Sequence, residues 1–404
     1  MSTSIQTDAP PIVIVGAGPT GLLLAGELAD AGVRVIVLER EAQPATMPKA
    51  NGIVGRAAVE LARRGVLRGS GLRIVRPPRF LFGTLALRLG LGPANPLHLL
   101  PVPQRRLEQL LKQRALARGV ELRRGTTLAG FTQGGDAVEL EVHTPRATER
   151  LPAAFLVGCD GARSTVRRAA GIGFPGFTSD VITRIARVTL PPRTARLDGR
   201  GDTIELTGIG RLHTMRQNRL PGGGFAIAPV ATLDRTAPDD LYLITTHEPH
   251  RGEEPTDALP EAELRASLRR VLGAELPFSA VDSARSTVAN SRLASTYRVG
   301  RVLLAGDAAH IFNAGGSALN VALLDALALA PLLVAAARGQ ASVASLEAYE
   351  SARRPAAELA LAQTRVQAAL SGDDEHASAL REIVGTLIAS RTGARAVARL
   401  IEGS

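Results

Sequence analysis

The first residues whose types and spacing suit a chemical role form a glycine-rich turn near the start of the chain. The motif Gly-Ala-Gly-Pro-Thr-Gly occupies 16–21, between the apolar run 12–15 and an apolar segment that ends near Gly32. Between a strand and a helix, such glycines permit a tight bend, a close approach of the backbone to a pyrophosphate, and close helix–strand packing. Free N–H groups at the start of the helix favour the phosphate charge. The residues that we expect to hold the phosphates are Gly16, Gly18, Pro19, Thr20 and Gly21.

An acidic residue at the end of the next predicted strand adds a contact for the same ligand. Glu39 lies 23 residues after Gly16 and follows the β-prone run 34–38. A carboxylate at this point binds ribose hydroxyls and disfavours a 2′-phosphate. The site therefore suits FAD or NAD better than NADP.

Two further polar motifs each follow an apolar run that is typical of a buried strand. The segment 159–164 contains Asp160, and the segment 306–310 contains Asp307. A carboxylate at the carboxyl end of a strand faces the ligand crevice of an open sheet, and Asp307 is suited to accept hydrogen bonds from ribityl hydroxyls. Taken alone, each motif is also compatible with a structural turn that contains a capping aspartate.

Together, the order and spacing of the three motifs resemble those of the flavin monooxygenases related to para-hydroxybenzoate hydroxylase. The resemblance runs from about residue 12 to about residue 370 and is closest to the polyketide-tailoring and antibiotic-modifying hydroxylases. It implies an α/β fold in which a Rossmann-like FAD-binding domain carries an inserted antiparallel-sheet substrate domain and a helical C-terminus. It also implies an FAD-dependent enzyme that consumes NADPH or NADH and dioxygen. Such an enzyme hydroxylates or epoxidises a polycyclic or aromatic natural product through a flavin C4a-hydroperoxide.

The same resemblance implies roles for residues at the adenine end of FAD. The glycines of 16–21 would hold the pyrophosphate, and Glu39 would bind the adenosine ribose, with Arg40 beside the adenine. Lys49 stands where the family usually has an arginine close to the pyrophosphate. Because lysine is a point charge, it lacks the bidentate geometry of that arginine.

For the flavin end, the resemblance implies contacts from the two aspartate motifs and from the turn that follows them. Gln104 and Asp307 would approach the ribityl chain, while Asp160 would contact FAD and NADPH, with Arg163 and Arg167 as phosphate partners. The turn whose backbone N–H groups would face the flavin O2 edge consists of Gly315, Gly316, Ser317, Ala318, Leu319 and Asn320.

This chain departs from the family pattern in that turn. The interval 311–314 is one residue shorter than usual and lacks proline, and Ala318 stands where relatives usually have glycine. A Cβ at this point restricts backbone that should lie close to the isoalloxazine. Both changes are compatible with FAD binding, but they fall where the hydroperoxide would be controlled and therefore count against ordinary hydroxylation.

Three functions therefore remain open. The first is an NAD(P)H-dependent hydroxylase or epoxidase. The second is an enzyme that keeps FAD, or only the fold, and catalyses a non-redox step such as cyclisation. The third is a non-catalytic scaffold, which the presence of Gly16, Glu39, Asp160 and Asp307 disfavours. Consumption of NADPH would separate the first two.

No protein group is predicted to be a catalytic residue, because the cofactor carries the family chemistry. His310 is expected to be structural, and the dispersed histidines and the single cysteine, Cys159, predict no metal site. The substrate should lie between the inserted sheet and the flavin. Candidate substrate contacts by location, for which core packing is the preferred interpretation, are Phe80, Phe82, Leu206, His213, Met215 and Phe225.

These motifs require elements that place them at one edge of a sheet. The patterns predict a βαβ unit over 11–39, a helix over 104–118, a strand-turn-strand over 120–142, short antiparallel strands between 175 and 286, and a strand over 301–305. The predicted domains are the first part of the FAD-binding domain at 1–174, the inserted substrate domain at 175–286, the second part of the FAD-binding domain at 287–372, and a helical segment at 373–404. The additional thioredoxin-like domain of several relatives is not expected in this chain.

Composition narrows the partners. The net charge is +10, but the basic residues are scattered arginines and only 3% of residues are aromatic, which disfavours nucleic acid. One cysteine and a polar N-terminus predict a cytoplasmic protein without a signal peptide. The apolar segment 318–337 contains Asn320, Asp325 and Pro331, so we expect a buried helix and no membrane span.

We expect Asp307→Ala to weaken retention of FAD more than Glu39→Ala lowers substrate turnover, because Asp307 would contact the ribityl chain directly. The measurement is the flavin content of each purified variant, together with turnover of the Glu39 variant. Equal flavin content in the wild type and the Asp307 variant would contradict the assigned role.

Overall fold

The computed structural model describes residues 10–44, 51–199, 201–232, 237–312, 318–372 and 374–403. The chain divides into two compact units, one formed by Met1–Gly176 with Ser291–Ser404 and the other by Phe177–Asn290. The first unit contains the parallel sheet and most of the helices, and the second is built mainly from antiparallel strands. The α/β fold class expected from the motifs is confirmed.

The described residues contain nine α-helices, of which only α5 lies in the second unit. They are α1 (Pro19–Asp30), α2 (Arg56–Arg63), α3 (Gln104–Leu116), α4 (Thr165–Ala169), α5 (Glu261–Leu272), α6 (Ala318–Ala337), α7 (Glu347–Leu370), α8 (Glu375–Ala389) and α9 (Arg391–Gly403).

The strands of the described residues fall into two groups along the chain. Those before the second unit are β1 (Ile12–Val15), β2 (Val35–Glu39), β3 (Gly52–Val54), β4 (Arg79–Phe82), β5 (Leu85–Arg88), β6 (Leu99–Pro101), β7 (Glu121–Arg124), β8 (Thr127–Gln133), β9 (Val138–His143), β10 (Thr148–Ala153) and β11 (Phe155–Gly158). Those that follow are β12 (Gly176–Thr189), β13 (Ala195–Leu197), β14 (Thr203–Leu206), β15 (Gly210–His213), β16 (Gln217–Leu220), β17 (Gly223–Pro229), β18 (Leu241–Pro249), β19 (Ala280–Leu293), β20 (Arg298–Val299), β21 (Val302–Leu304) and β22 (His310–Ile311).

The central sheet of the first unit has the strand order β20-β21-β11-β1-β2-β7. The five strands from β21 to β7 are parallel, and β20 adds an antiparallel edge. Strand β1 is fully apolar and buried, as expected for a strand that is covered on both faces. The predicted βαβ unit is confirmed as β1, α1 and β2.

Helix α6 is the one described helix that is long and apolar enough to cross a membrane. Leu323, Leu329 and Leu333 are nevertheless fully buried in the main hydrophobic cluster, and Asp325 on the same helix is also fully buried. Pro331 lies inside the helix and does not end it. The helix is therefore an element of the core of the first unit, as the polar residues in its sequence indicated.

A smaller core in the first unit joins the hairpin β4–β5 to the C-terminal helices. Phe82 and Leu87 pack there with Leu370, Ile388 and Ile401. The sequence patterns did not predict this hairpin, because its strands are only four residues long and alternate weakly. Phe82 is buried here, which agrees with the preferred interpretation of that residue as a packing residue.

The second unit is built on a sheet in which β16, β17, β18 and β12 pair antiparallel and β19 follows β12. A small sheet of β13, β14 and β15 and helix α5 complete its core. Leu206 and Phe225 are fully buried in this core, whereas His213 and Met215 are exposed. Of the four candidate substrate contacts in this unit, only His213 and Met215 have side chains that are accessible to a ligand.

A buried ion cluster fixes α5 to β18 in the second unit. The Glu248 carboxylate accepts hydrogen bonds from Arg184 at 2.7 Å, from Arg270 at 2.6 Å and from Ser267 at 2.5 Å. Burial alone would raise the pKa of Glu248, but hydrogen bonds from Arg270 and Ser267 and the charge of Arg184 bring it below its ordinary value. The cluster therefore stabilises the fold only while Glu248 is ionised.

We expect Glu248→Gln to lower the free energy of unfolding by about 2–3 kcal/mol, because it removes the ionised acceptor that Arg184 and Arg270 share. Arg184 then keeps only its weaker, half-exposed acidic partners, of which Glu263 lies at 2.9 Å. Glu275→Gln is the matched control, since Glu275 pairs with Arg269 while 76% of its side chain is exposed, and it should change stability little. The measurement is denaturant unfolding between neutral pH and pH about 3. The folded-state pKa of Glu248 is depressed, so its contribution is complete above the unfolded carboxylate pKa and is lost as pH falls through the folded one. Equal losses in the two variants would contradict the assignment.

Candidate functional site

The three motifs meet at the carboxyl edge of the parallel sheet. Val15 pairs with Gly158, and Gly158 pairs with Leu304, so β1, β11 and β21 end at the same level. Beyond the strands, Cys159 N donates to Val15 O at 2.8 Å and Ala305 N donates to Gly158 O at 2.9 Å. The glycine turn (16–21), the DG loop (159–164) and the GD turn (306–310) therefore lie side by side, where an open sheet binds its ligand.

Backbone packing dictates two of the glycines in the glycine turn. Gly16 has φ +107°, and a Cβ placed on it would lie 2.3 Å from the carbonyl oxygen of Cys159. A Cβ on Gly21 would lie 2.1 Å from the carbonyl oxygen of Gly16. A Cβ on Gly18, in contrast, meets no atom of the described residues within 4 Å. Gly16 and Gly21 thus serve the fold, while Gly18 leaves open space at the start of α1.

Helix α1 presents its N-terminus to that space. Gly18 is the N-cap, Pro19 is the first helical residue, and no acidic side chain lies in the first turn. Pro19 has no N–H to leave unsatisfied, while the following N–H groups and the helix dipole favour an anion. This end of α1 is therefore suited to a phosphate group.

Glu39 ties the glycine turn to the end of β2. Its Oε2 accepts a hydrogen bond from Ala17 N at 2.9 Å, and its Oε1 accepts one from Glu41 N at 2.9 Å. Each carboxylate oxygen retains a lone pair for a further donor, such as a ribose hydroxyl. Arg40 is exposed and pairs with Glu41 at 3.2 Å, so its position beside an adenine stays a prediction.

Asp160 caps helix α4 with one oxygen. Its Oδ2 accepts from Thr165 N at 2.7 Å and from Val166 N at 3.2 Å. Its Oδ1 is buried and accepts no hydrogen bond from the described residues. An orphaned buried carboxylate oxygen is costly, and a bound ligand that donates a hydrogen bond would satisfy it. Arg163 in the same loop is exposed.

Arg167 has a structural role rather than the phosphate contact suggested by the resemblance. Its guanidinium donates to Ala308 O at 2.9 Å and to Ala162 O at 2.8 Å. It also lies 3.7 Å from the centre of the Phe174 ring, and burial lowers its pKa. Because two carbonyls and an aromatic ring occupy the guanidinium, Arg167 joins the DG loop to the GD turn.

The GD turn lies against the first turn of α1. Gly306 has φ +63°, and a Cβ placed on it would lie 2.9 Å from Thr20 Oγ1 and 3.3 Å from the Cβ of Ala322. Asp307, the next residue, is exposed at the carboxyl end of β21. Its carboxylate therefore lies on the same sheet edge as the start of α1, while its contact with a ribityl chain stays a prediction.

Sequence reasoning missed the buried acid beneath this turn. Asp325 on α6 accepts from His310 Nε2 at 2.6 Å, from Gly306 N at 3.1 Å and from Arg353 Nε at 2.8 Å. Burial alone would raise the pKa of Asp325, but the charges and hydrogen bonds of His310 and Arg353 hold it below its ordinary value. An aspartate in an otherwise apolar helix was the available signal. His310 is 1% exposed, which agrees with the structural role expected for it.

The described start of α6 fixes a second helix. Asn320 Oδ1 accepts from Ala57 N at 2.8 Å and so caps α2. Gly55, the residue before α2, has φ +115°, and a Cβ on it would lie 2.7 Å from that same oxygen. Ala318 is the first residue of α6, and both it and Leu319 are half-buried. The remaining residues of the predicted flavin turn, Gly315, Gly316 and Ser317, and also Lys49, lie outside the described residues.

Gln104 is the first residue of α3, and its amide donates to Glu108 Oε1 at 2.8 Å. The amide is therefore oriented by its own helix. Its approach to a ribityl chain stays a prediction.

The residues at this edge fit a dinucleotide. The fit rests on the open space at Gly18, the helix N-terminus beside it, the orphaned Asp160 oxygen and the carboxylate at Glu39. These groups can bind phosphates and hydroxyls. Among the described residues, no group of three or more histidine, cysteine or acidic side chains could hold a metal ion.

Comparison with known proteins gives consistent matches over nearly the whole chain. A family described as an FAD binding domain matches residues 9–364. The chain is 37% identical, over 93% of its length and 73% of the relative, to 12-dehydrotetracycline 5-monooxygenase/anhydrotetracycline 6-monooxygenase of Streptomyces rimosus. An aromatic hydroxylase from angucycline biosynthesis has a TM-score of 0.82 and 31% identity, over 98% of this chain and 76% of that one. The Diels-Alderase PyrE3 from pyrroindomycin biosynthesis has a TM-score of 0.81 and 30% identity, over 98% and 80%.

The glycine turn offers a direct test of the dinucleotide site. Gly18→Ala should keep the melting temperature of the apoprotein, because its Cβ meets no described atom, and should weaken FAD binding at least about tenfold by filling the space for the pyrophosphate. Gly21→Ala is the contrasting variant, because its Cβ would clash with Gly16 O and lower the melting temperature. Thermal unfolding and FAD titration measure the two effects. Undiminished FAD binding by Gly18→Ala would place the pyrophosphate elsewhere.

Proposed function

Since this chain belongs to the family of FAD-dependent monooxygenases defined by the FAD binding domain, we propose that NAD(P)H and dioxygen are its co-substrates and that a polycyclic aromatic natural product is the molecule oxygenated. The family resemblance drawn from the three motifs is confirmed. The observation that carries the proposal is the meeting of those motifs at one sheet edge, with open space at Gly18 and an unsatisfied oxygen on Asp160.

Each motif would hold a different part of FAD. The N-terminus of α1 would bind the pyrophosphate, and Glu39 would bind the adenosine ribose with the lone pairs left after its contacts to Ala17 and Glu41. Asp307 would bind the ribityl chain, and backbone N–H groups at the start of α6 would face the pyrimidine edge of the flavin. Exposed Arg163 is available for a phosphate of NAD(P)H.

When bound, FAD supplies the electron transfer and oxygen activation of this family. The described side chains then bind and orient the cofactor, while none of them is required as a nucleophile or a proton donor. Arg167, Asn320 and Asp325 fix the loops that carry those contacts. The contribution of the protein is therefore positioning, which limits how far any single side chain can alter the rate of the chemical step.

The substrate class follows from the relatives that this chain resembles. Two of them are a tetracycline-pathway monooxygenase and an aromatic hydroxylase from angucycline biosynthesis. We therefore propose a fused-ring aromatic substrate, and we propose the cytoplasm as the location, where reduced nicotinamide is available.

A second candidate function is a ring-forming reaction without net electron transfer. The similar structure of a Diels-Alderase favours it, because a Diels–Alder reaction forms a ring without net electron transfer and so needs no NAD(P)H. The alanine at 318, where hydroxylases of the family usually have glycine, also favours it, because it changes backbone expected near the flavin. Under this function FAD, or the fold alone, would shape the cavity.

One experiment separates these functions. The purified protein with FAD is mixed anaerobically with NADPH or NADH, with and without anhydrotetracycline as a fused-ring probe, and the visible flavin band is followed. Oxygen is then admitted, and oxygenated product and hydrogen peroxide are quantified. We expect the band to bleach, fastest with the probe present, because substrate binding completes the site. Ala318→Gly is the matched variant, and its yields of oxygenated product and hydrogen peroxide are compared with those of the wild type.

The outcomes differ for each function. Bleaching followed by oxygen incorporation supports the monooxygenase. A bound flavin that neither nucleotide reduces, with or without the probe, supports the ring-forming enzyme. A protein that binds no flavin after reconstitution overturns the monooxygenase and leaves, of the two, only a ring-forming enzyme that uses the fold alone.

A further inference from the structure

Asp325 is an acid that the binding contacts proposed above do not use. It is fully buried, although it lies on the apolar helix α6. A buried carboxylate is costly unless it is paired and hydrogen-bonded. The described partners through which Asp325 meets that condition come from two other parts of the fold.

Each oxygen of the Asp325 carboxylate binds a different part of the fold. Oδ2 accepts both donors of the GD turn, Gly306 N at 3.1 Å and His310 Nε2 at 2.6 Å. Oδ1 accepts Arg353 Nε from α7 at 2.8 Å. Because an ionised carboxylate only accepts, His310 Nε2 is the donor in this pair, while His310 Nδ1 is buried and has no hydrogen-bond partner among the described residues. Hydrogen bonds to an ionised acceptor are roughly twice as strong as neutral ones.

The GD turn needs such an anchor. Gly306 has a left-handed φ of +63°, and glycine is the residue with the least intrinsic preference for any one backbone conformation. The three-residue turn Gly306–Ala308 has no side-chain cap of its own. Thr20 and Ala322 lie where a Cβ on Gly306 would be, but neither of them is a hydrogen-bond partner of Gly306 among the described residues. The hydrogen bond from Gly306 N to Asp325 therefore fixes the start of the turn, while Arg167 holds its end through Ala308 O at 2.9 Å.

We propose that Asp325 is a positioning residue that holds the GD turn in the conformation in which Asp307 binds the ribityl chain of FAD. The proposal rests on the FAD-dependent function given above. Asp325 acts mainly at the flavin end, because its described hydrogen-bond partners lie in the GD turn and on α7 and none lies in the glycine turn or at Glu39. Loss of its charge should weaken FAD and leave the adenine end of the site intact.

The test compares two ligands on the full-length apoprotein. FAD affinity is measured by quenching of flavin fluorescence, and ADP affinity is measured by calorimetry as a probe of the adenine end alone. Asp325→Asn is expected to raise the Kd for FAD about tenfold or more and to change the Kd for ADP less than about twofold, given the strength of hydrogen bonds to charged groups.

A matched control separates positioning from lost stability. Glu248→Gln also neutralises a buried acid that is held by arginine, but it lies in the second unit with no partner in the three motifs. It should lower the melting temperature of the apoprotein and leave both affinities unchanged. All affinities are compared at a temperature at which circular dichroism shows each variant to be folded.

His310 provides a milder pair of variants in case Asp325→Asn does not fold. His310→Ala removes one of the two GD-turn contacts of Asp325 and keeps the Arg353 pair, so FAD affinity should fall about threefold or more. His310→Gln retains an N–H donor and should restore most of that loss.

The results distinguish this inference from the function on which it rests. Wild-type protein that binds ADP but not FAD overturns the proposed function. Wild-type protein that binds FAD, with Asp325→Asn or both His310 variants binding it equally well, overturns the positioning role. Equal weakening of FAD and ADP in Asp325→Asn also overturns it, because the acid would then support the whole sheet edge.

Discussion

Strands β1, β11 and β21 run parallel with Val15 opposite Gly158 and Gly158 opposite Leu304, and the rest of the site depends on this register. The next hydrogen bonds, from Cys159 N to Val15 O and from Ala305 N to Gly158 O, carry the pairing into the loops. Loops that leave neighbouring parallel strands at the same level must share the space beyond the sheet. The three motifs are brought together by the backbone, although up to about 290 residues separate them in the chain.

The loops in that shared space pack closely, and they can do so because the glycine turn lacks side chains at the points of contact. Gly16 fits against Cys159 O and Gly21 fits against Gly16 O because neither has a Cβ. Gly18 differs, since nothing described lies within 4 Å of where its Cβ would be. One motif therefore contains two glycines that are required by close backbone packing and one glycine that leaves space for a ligand. The same distinction explains why substitutions at 16 or 21 are expected to act through the fold, and those at 18 through the ligand.

The sequence was sufficient to predict the edge of the sheet and insufficient to predict what holds it in place. The glycine turn, Glu39, Asp160 and Asp307 follow apolar strand patterns, and local patterns of that kind survive in the folded chain. The links from Arg167 to Ala308, from Asn320 to Ala57 and from Asp325 to Gly306 join residues that are 19 to 263 positions apart. No local pattern encodes such pairs. Arg167 was therefore assigned to a phosphate, although its guanidinium is bound to two carbonyls.

Cofactor binding and reaction type are separate properties in this fold. Two structures named for different reactions, an aromatic hydroxylase and a Diels-Alderase, match this chain with TM-scores of 0.82 and 0.81. The shared fold alone therefore does not identify the reaction, whereas the match to the FAD binding domain family identifies the cofactor site. The start of α6 is the described part of the chain where we expect the two properties to be linked. Ala318 departs from the usual glycine two residues before Asn320, whose side chain caps α2 beside Gly55. A change in this turn thus reaches the backbone expected near the flavin without altering the contacts at Gly18, Glu39 or Asp160.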